Sequence, residues 1–129
     1  MTKGTSRKTA PQIAEWVESR GGHLETFSGR DGFGVVLQLL AEDVTEGLSL
    51  VHELVTDAAF PEAELELQRQ LVLNGLKTRD DDVFDLGSRL LRQTLFRAHP
   101  YRFDPLGAPE TVARLSRADC QAFAARWLV

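Results

Sequence analysis

Three histidines, one cysteine and a run of three aspartates are the side chains of this 129-residue chain best suited to hold a metal or carry out catalysis. His23, His52 and His99 are separated by 29 and 47 residues, so no pair has the local spacing by which one element offers a metal two ligands. His52-Glu53 begins like a helical H-E-x-x-H zinc site, but Thr56 stands where the second histidine is required. His52 is therefore expected to be a solvent-facing helix residue. His99 precedes Pro100, has no acid or nucleophile spaced against it, and is expected in a loop. Cys120, before Phe123 and Ala124, is expected to be a small core residue and not a nucleophile. Asp80, Asp81 and Asp82 lack the alternating ligands and closing glutamate of a calcium loop, which leaves helix capping as their role. Gly29, Gly32 and Gly34 fall between extended segments and not before a helix, so they are no phosphate loop. Gly75 is the oddity: inside a helical pattern it costs about 1 kcal/mol relative to alanine. A close approach by another element, a tolerated kink, or a lost functional side chain are the three explanations.

Composition limits what these residues can serve. Hydrophobic residues make up 43% and charged residues 26%, the range of a soluble single domain. Fifteen Lys and Arg against 19 Asp and Glu give a net charge of -4, which argues against nucleic acid or an anionic membrane as partner. A lone cysteine excludes an internal disulfide, and no stretch approaches the roughly 20 apolar residues of a membrane span. The basic first nine residues have no apolar stretch behind them and do not read as a secretory signal.

The elements that position these residues follow from period and punctuation. Thr9 and Gln12 form a capping box that opens a helix with Ile13, Ala14 and Val17 on one stripe, stopped by Gly21-Gly22. Extended segments over 23–28 and 33–40, joined by Gly29-Arg30-Asp31-Gly32, predict a β-hairpin. Its second strand places Phe33, Val35, Leu37 and Leu39 on one face and Val36 and Leu40 on the other, a strand expected to be covered on both sides. Asp43 and Glu46 read as a second capping box before a helix with Val44, Leu48, Val51, Leu54 and Val55 on one face. After Phe60-Pro61, a charged helix over 62–78 carries Leu65, Val72 and Leu76, and a further helix over 83–98 presents Leu86, Leu90, Leu91 and Leu95. A loop follows, and Ser116 and Asp119 cap a last helix bearing Phe123 and Trp127. The fold class is thus α+β, a β-hairpin plus several helices. Two strands make a poor sheet in water, so sheet strands are expected to be missing and residues 1–129 to form one partial domain.

Several of these pieces stand in the order of a known family. Lys3-Gly4-Thr5, Ala10-Pro11-Gln12-Ile13-Ala14, Glu18-Ser19-Arg20-Gly21-Gly22, Phe60-Pro61, Arg69-Gln70, Arg79-Asp80-Asp81-Asp82, His99-Pro100-Tyr101 and Leu115-Ser116-Arg117-Ala118-Asp119 together resemble the pitrilysin/insulinase-type zinc metallopeptidases. The resemblance covers nearly the whole chain and is most similar to the non-catalytic, C-terminal halves of bacterial members. It implies the central part of a metallopeptidase-like α/β sandwich domain, in a protein of two similar halves or subunits that enclose a chamber. In cutting halves an inverted H-x-x-E-H motif supplies two zinc histidines and a water-activating glutamate, and a glutamate on the long helix completes the site. That motif would precede Met1. The resemblance puts Gly75 at the third zinc-ligand position and Gln68, seven residues earlier, where a supporting carboxylate often stands.

The reading that follows is a non-catalytic, chamber-forming and substrate-contacting portion of a peptidase active in peptide proteolysis. The chain alone is expected to be inactive, with no catalytic, metal-ligating or cofactor-binding residue of its own, and zinc is expected only in a catalytic half or partner subunit. Its expected partners are that catalytic half and a peptide substrate, with self-association through the exposed hairpin and no nucleic acid. The bacterial cytoplasm or periplasm is the expected compartment. Two alternatives stand beside this one: a fragment of an active zinc endopeptidase whose H-x-x-E-H lies upstream, and a free-standing helical interaction module. Position 75 separates the first, since Glu66 lies half a turn away and cannot replace the ligand. The second should bury its own hairpin.

Overall fold

Local chemistry opens and closes the first helix and pairs the hairpin as the sequence predicts. The computed structural model describes residues 1–79 and 81–128. Helix α1, Ala10–Glu18, begins after Thr9, whose amide donates to Gln12 Oε1 at 2.8 Å. It ends as the Gly22 amide reaches back to the Val17 carbonyl at 3.0 Å, with Gly21 at φ 63°, where a side chain would clash with the backbone. Strands β1, His23–Ser28, and β2, Phe33–Gln38, pair antiparallel, Leu24 facing Leu37 and Thr26 facing Val35. Leu39 and Leu40 fall outside the second strand, which is shorter than predicted because the chain turns at Leu40 into a 3-10 turn over Ala41–Asp43.

The described residues form two compact units, divided within the long helix: 1–64 with 117–128, and 65–116. In the first unit, α2, Val44–Thr56, lays Leu50 and Leu54 on Ile13 and Val17 of α1, with Trp16, Leu24, Val35 and Leu37 packed around them. The buried stripe of α2 is Gly47, Leu50 and Leu54; of the predicted face Leu54 is buried and Val51 and Val55 are half-buried, but Val44 and Leu48 are 54% and 66% exposed. Close approach explains the rotation: a Cβ on Gly47 would stand 2.5 Å from Leu39 Cδ1, so the glycine lets β2 come near. The Asp43–Glu46 box also does not form. Asp43 makes no capping bond; its carboxylate lies 3.3 Å from Arg20 Nε, and Glu46 accepts from the same guanidinium at 3.1 Å. Ala14 is exposed, and half-buried Trp16 takes its place beside the core under Arg20, 4.2 Å away.

Helix α3, Glu62–Arg79, crosses from one unit into the other. In the second unit α4, Val83–Leu95, starts on Asp82, whose carboxylate accepts from the amides of Phe84 and Asp85. That supports the capping role of the acidic run; Asp80 lies outside the described residues. Helix α4 ends three residues before the predicted 98, and its Leu90, Leu91 and Leu95 are exposed. The expected loop contains a 3-10 turn over Pro100–Arg102 and a short helix α5, Pro109–Val112. Pro109 at the first helical position with Glu110 behind it is an N-terminal signature that apolar periodicity does not register. Helix α6, Arg117–Trp127, returns to the first unit, where Arg117 donates to the Ala59 carbonyl. Cys120 is half-buried there, not in the core. Among the described residues the architecture is α+β, a two-stranded antiparallel hairpin with six α-helices.

Candidate functional site

The sequence points to α3, so its face carrying Gln68 and Gly75 is the first candidate. Seven residues are about two turns, which brings both positions beside the stripe of half-buried Leu65 and Val72 and buried Leu76. A Cβ on Gly75 would stand in open space, with no atom of the described residues beyond its own helical turn within 4 Å. Close approach is thereby eliminated as the reason for this glycine. The helix runs without a break in its assignment from Glu62 to Arg79.

The histidines lie on three separate elements. His23 opens β1, with Nε2 3.6 Å from Glu25 Oε2; His52 is exposed on α2, as expected; His99 precedes a 3-10 turn, and its Nδ1 accepts from the Tyr101 amide at 3.3 Å. Its ring also stands edge-on to Tyr101. Among the described residues no three of His, Cys, Asp and Glu gather closely enough to hold a metal ion.

The polar clusters that do form were not singled out by sequence. In the first unit Glu53 on α2 accepts from Thr5 and from Lys8, each at 2.5 Å, and Ser6 donates to Asp57. The Thr5 end of this segment is further held by an antiparallel bridge to Ala58. Lys8 first, then Thr5, holds the Glu53 carboxyl below the usual carboxylate range. The Lys3-Gly4-Thr5 motif is therefore part of a strap that ties residues 3–9 to the end of α2.

In the second unit Arg79, at the end of α3, grips both oxygens of Asp85 at 2.8 and 2.9 Å and reaches Asp104 Oδ1 at 3.1 Å. Arg89 closes on Asp85 from one turn along α4. Asp85 lies below its ordinary range because of Arg79. Burial pushes Asp104 upward, but the Leu106 amide and Arg79 outweigh it, and the net shift is downward. Arg69 performs a similar tie elsewhere, donating to the Val112 and Ala113 carbonyls at the end of α5. Beside the Arg79 cluster is a cleft of about 510 Å³ whose walls include Leu76, Arg89, Gln93, Arg102, Asp104 and Thr111. The i, i+4 spacing of Asp85 and Arg89 is a signal that sequence carries; Arg102, in a single 3-10 turn, and Asp104, in the loop after it, carry none.

Comparison with known proteins decides the family. The model of the insulinase family, peptidase family M16, matches residues 1–109. The chain belongs to this family. Subunit 1 of the mitochondrial cytochrome b-c1 complex of Bos taurus is 27% identical over 124 residues, 96% of this chain and 26% of that protein. A protein described as an uncharacterized zinc protease of Rickettsia bellii is 29% identical over 115 residues, 89% of this chain and 28% of its own length. The crystal structure of a peptidase M16 inactive domain from Pseudomonas fluorescens superimposes with a TM-score of 0.85 at 26% identity, covering 95% of this chain and 30% of that one. This M16 chain is thus homologous to an inactive domain and spans between a quarter and a third of these relatives. None of its described helices is long and apolar enough to cross a membrane.

Proposed function

We propose that residues 1–129 are the middle of an M16 domain of the non-catalytic kind, which walls a chamber and contacts peptide substrate beside a catalytic half or subunit. The observation that carries this reading is the open space at Gly75. At the position where the family resemblance puts the third zinc ligand, a helix-interior glycine that packing does not require fits the loss of a ligating side chain. Gln68 on the same stripe offers an amide in place of a carboxylate. Zinc belongs, in this reading, to the catalytic half alone, and the compartment is the bacterial cytoplasm or periplasm.

Surface area supports a partial domain over a free-standing module. A 14.4 kDa chain folded as one body exposes about 6,800 Å², and two separate bodies of the same total mass about 8,200 Å². This chain exposes 9120 Å². The surplus includes Val83 and Phe84 on α4 and Phe123 and Trp127 on α6, all more than half exposed. Covering such side chains is the work of further chain or of a partner.

Metal content and peptide hydrolysis test the disarmed site. The purified chain and its Gly75→Glu variant are expected to retain only background zinc after dialysis and to leave a quenched fluorescent peptide intact. Stoichiometric zinc in either, or measurable cleavage, overturns the reading.

A further inference from the structure

Helix α4 sits in the 65–116 unit with its sides exchanged. Asp85, Arg89 and Arg92 recur at helical spacing, so they share one side, and that charged side is the half-buried one. Ion pairs hold it down, Arg79 to Asp85 and Asp85 to Arg89. Phe84, Gly87, Leu91 and Leu95 share the opposite side, with Val83 and Leu90 along its margin. The five apolar side chains among these are 55% to 88% exposed, the reverse of an ordinary amphipathic helix. Thr94, on the same side, donates its hydroxyl to the Leu90 carbonyl at 2.9 Å, which keeps the stripe apolar. Gly87 is a gap in its middle: a Cβ there would meet no atom of the described residues beyond its own helical turn within 4 Å. The chain's own packing does not call for this glycine, which costs helix stability, whereas a side chain of a neighbouring helix fits into such a gap.

The ends of α4 select which helix. Exposed Asp81 and Asp82 stand before it and exposed Arg97 after it. A copy of α4 laid alongside in the same direction sets like charge against like, and one laid in the opposite direction sets opposite charges together at both ends. We propose that the outer side of α4 is a self-association surface, occupied by the α4 of a second copy of this chain, antiparallel and related by a two-fold axis. A register that seats Leu91 of each copy over Gly87 of the other also sets Val83 against Leu95 and the Asp81 end against the Arg97 end. A standard interface uses roughly 20 to 30 residues a side, so a pair built on one helix face is a weak, reversible dimer. The proposal does not rest on the non-catalytic reading, and its failure leaves the zinc and cleavage tests as they stand. It is separate also from the hairpin edges, which belong to the other unit.

Sedimentation velocity of the full chain from about 5 to 500 µM, the range in which a weak interface shows itself, tests it. A monomer–dimer equilibrium is expected, weakened at least about tenfold by Leu91→Asp, which puts a charge into the seam at a position exposed in the monomer. Gly87→Leu is expected to weaken it as well, although that variant adds apolar surface. Direction is read by oxidising an equimolar mixture of Val83→Cys and Leu95→Cys chains, each also carrying Cys120→Ser, and disulfides joining unlike chains are expected. A monomer at every concentration overturns the proposal. So does association that Leu91→Asp leaves unchanged, which would assign it to the hairpin edges or another surface. Tighter association of Gly87→Leu, or disulfides between like chains, overturns it too. Should one of the two seam variants fail to fold, the other and the disulfide pattern decide.

Discussion

At Gly75 the backbone is helical and the space around the missing side chain is open, so alanine should improve the protein. Gly75→Ala is expected to raise stability by about 0.5 to 1 kcal/mol through helix propensity. Chemical denaturation measures it, and a loss of stability would mean that something does approach the glycine. Arg79 offers the opposite case, a side chain whose removal strands partners. Asp85 and Asp104 are held below their unfolded values by the folded structure, though burial works against this at Asp104. Groups depressed in this way stabilise the fold above their unfolded pKa near 4, and the contribution is lost as pH falls through the folded values. The melting temperature of the chain should therefore be flat from about pH 7 to 5 and fall below about 4. Arg79→Ala should lower it at neutral pH and shrink that acid dependence; an unchanged pH profile in the variant would contradict the assignment.

Among the elements, α2 separates what sequence shows from what it hides. Leu54 is fully buried and Leu48 66% exposed, although both read as core by period. Leu54→Ala should cost roughly 2 to 5 kcal/mol and Leu48→Ala under about 0.5 kcal/mol, and thermal or urea melts of the two will show which stripe faces inward. Leu54 was read on the 44/48/51/55 side but is buried with Gly47 and Leu50, because Leu50 and Leu54 meet Ile13 and Val17 of α1 and Gly47 lets Leu39 approach. Such a contact has no local signal. The Thr9–Gln12 cap, the Gly21-Gly22 stop and the 29–32 turn were legible because each is chemistry among neighbours in sequence. Asp43 and Glu46 had the same local signature but were captured by Arg20, from a different helix end. For the candidate site, positions 68 and 75 could be named because the family motifs supply a register along α3. The cleft could not, because Arg102 and Asp104 stand on a segment without periodicity and meet α4 only through the tertiary fold.

On the scale of the whole molecule, the surplus of exposed surface and the exposed apolar residues of α4 and α6 describe a protein with faces to cover. The hairpin adds two strand edges with backbone groups open to pairing, since among the described residues β1 and β2 pair only with each other. In isolation the chain is expected to self-associate through them, seen as an average mass in light scattering that rises with concentration. A constant monomer mass with a cooperative melt would show that the hairpin is complete as it stands. If the proposed role holds, the partner that relieves the hairpin edges and α6 is a catalytic M16 half. Reconstitution tests that most directly: the chain, mixed with a catalytic M16 subunit from the same organism, is followed by size-exclusion chromatography and by cleavage of a quenched fluorescent peptide. A stable complex with cleavage well above that of either component, and with zinc confined to the catalytic subunit, is the predicted result. Cleavage by this chain alone, or a catalytic subunit that ignores it in both binding and rate, would contradict the proposed role.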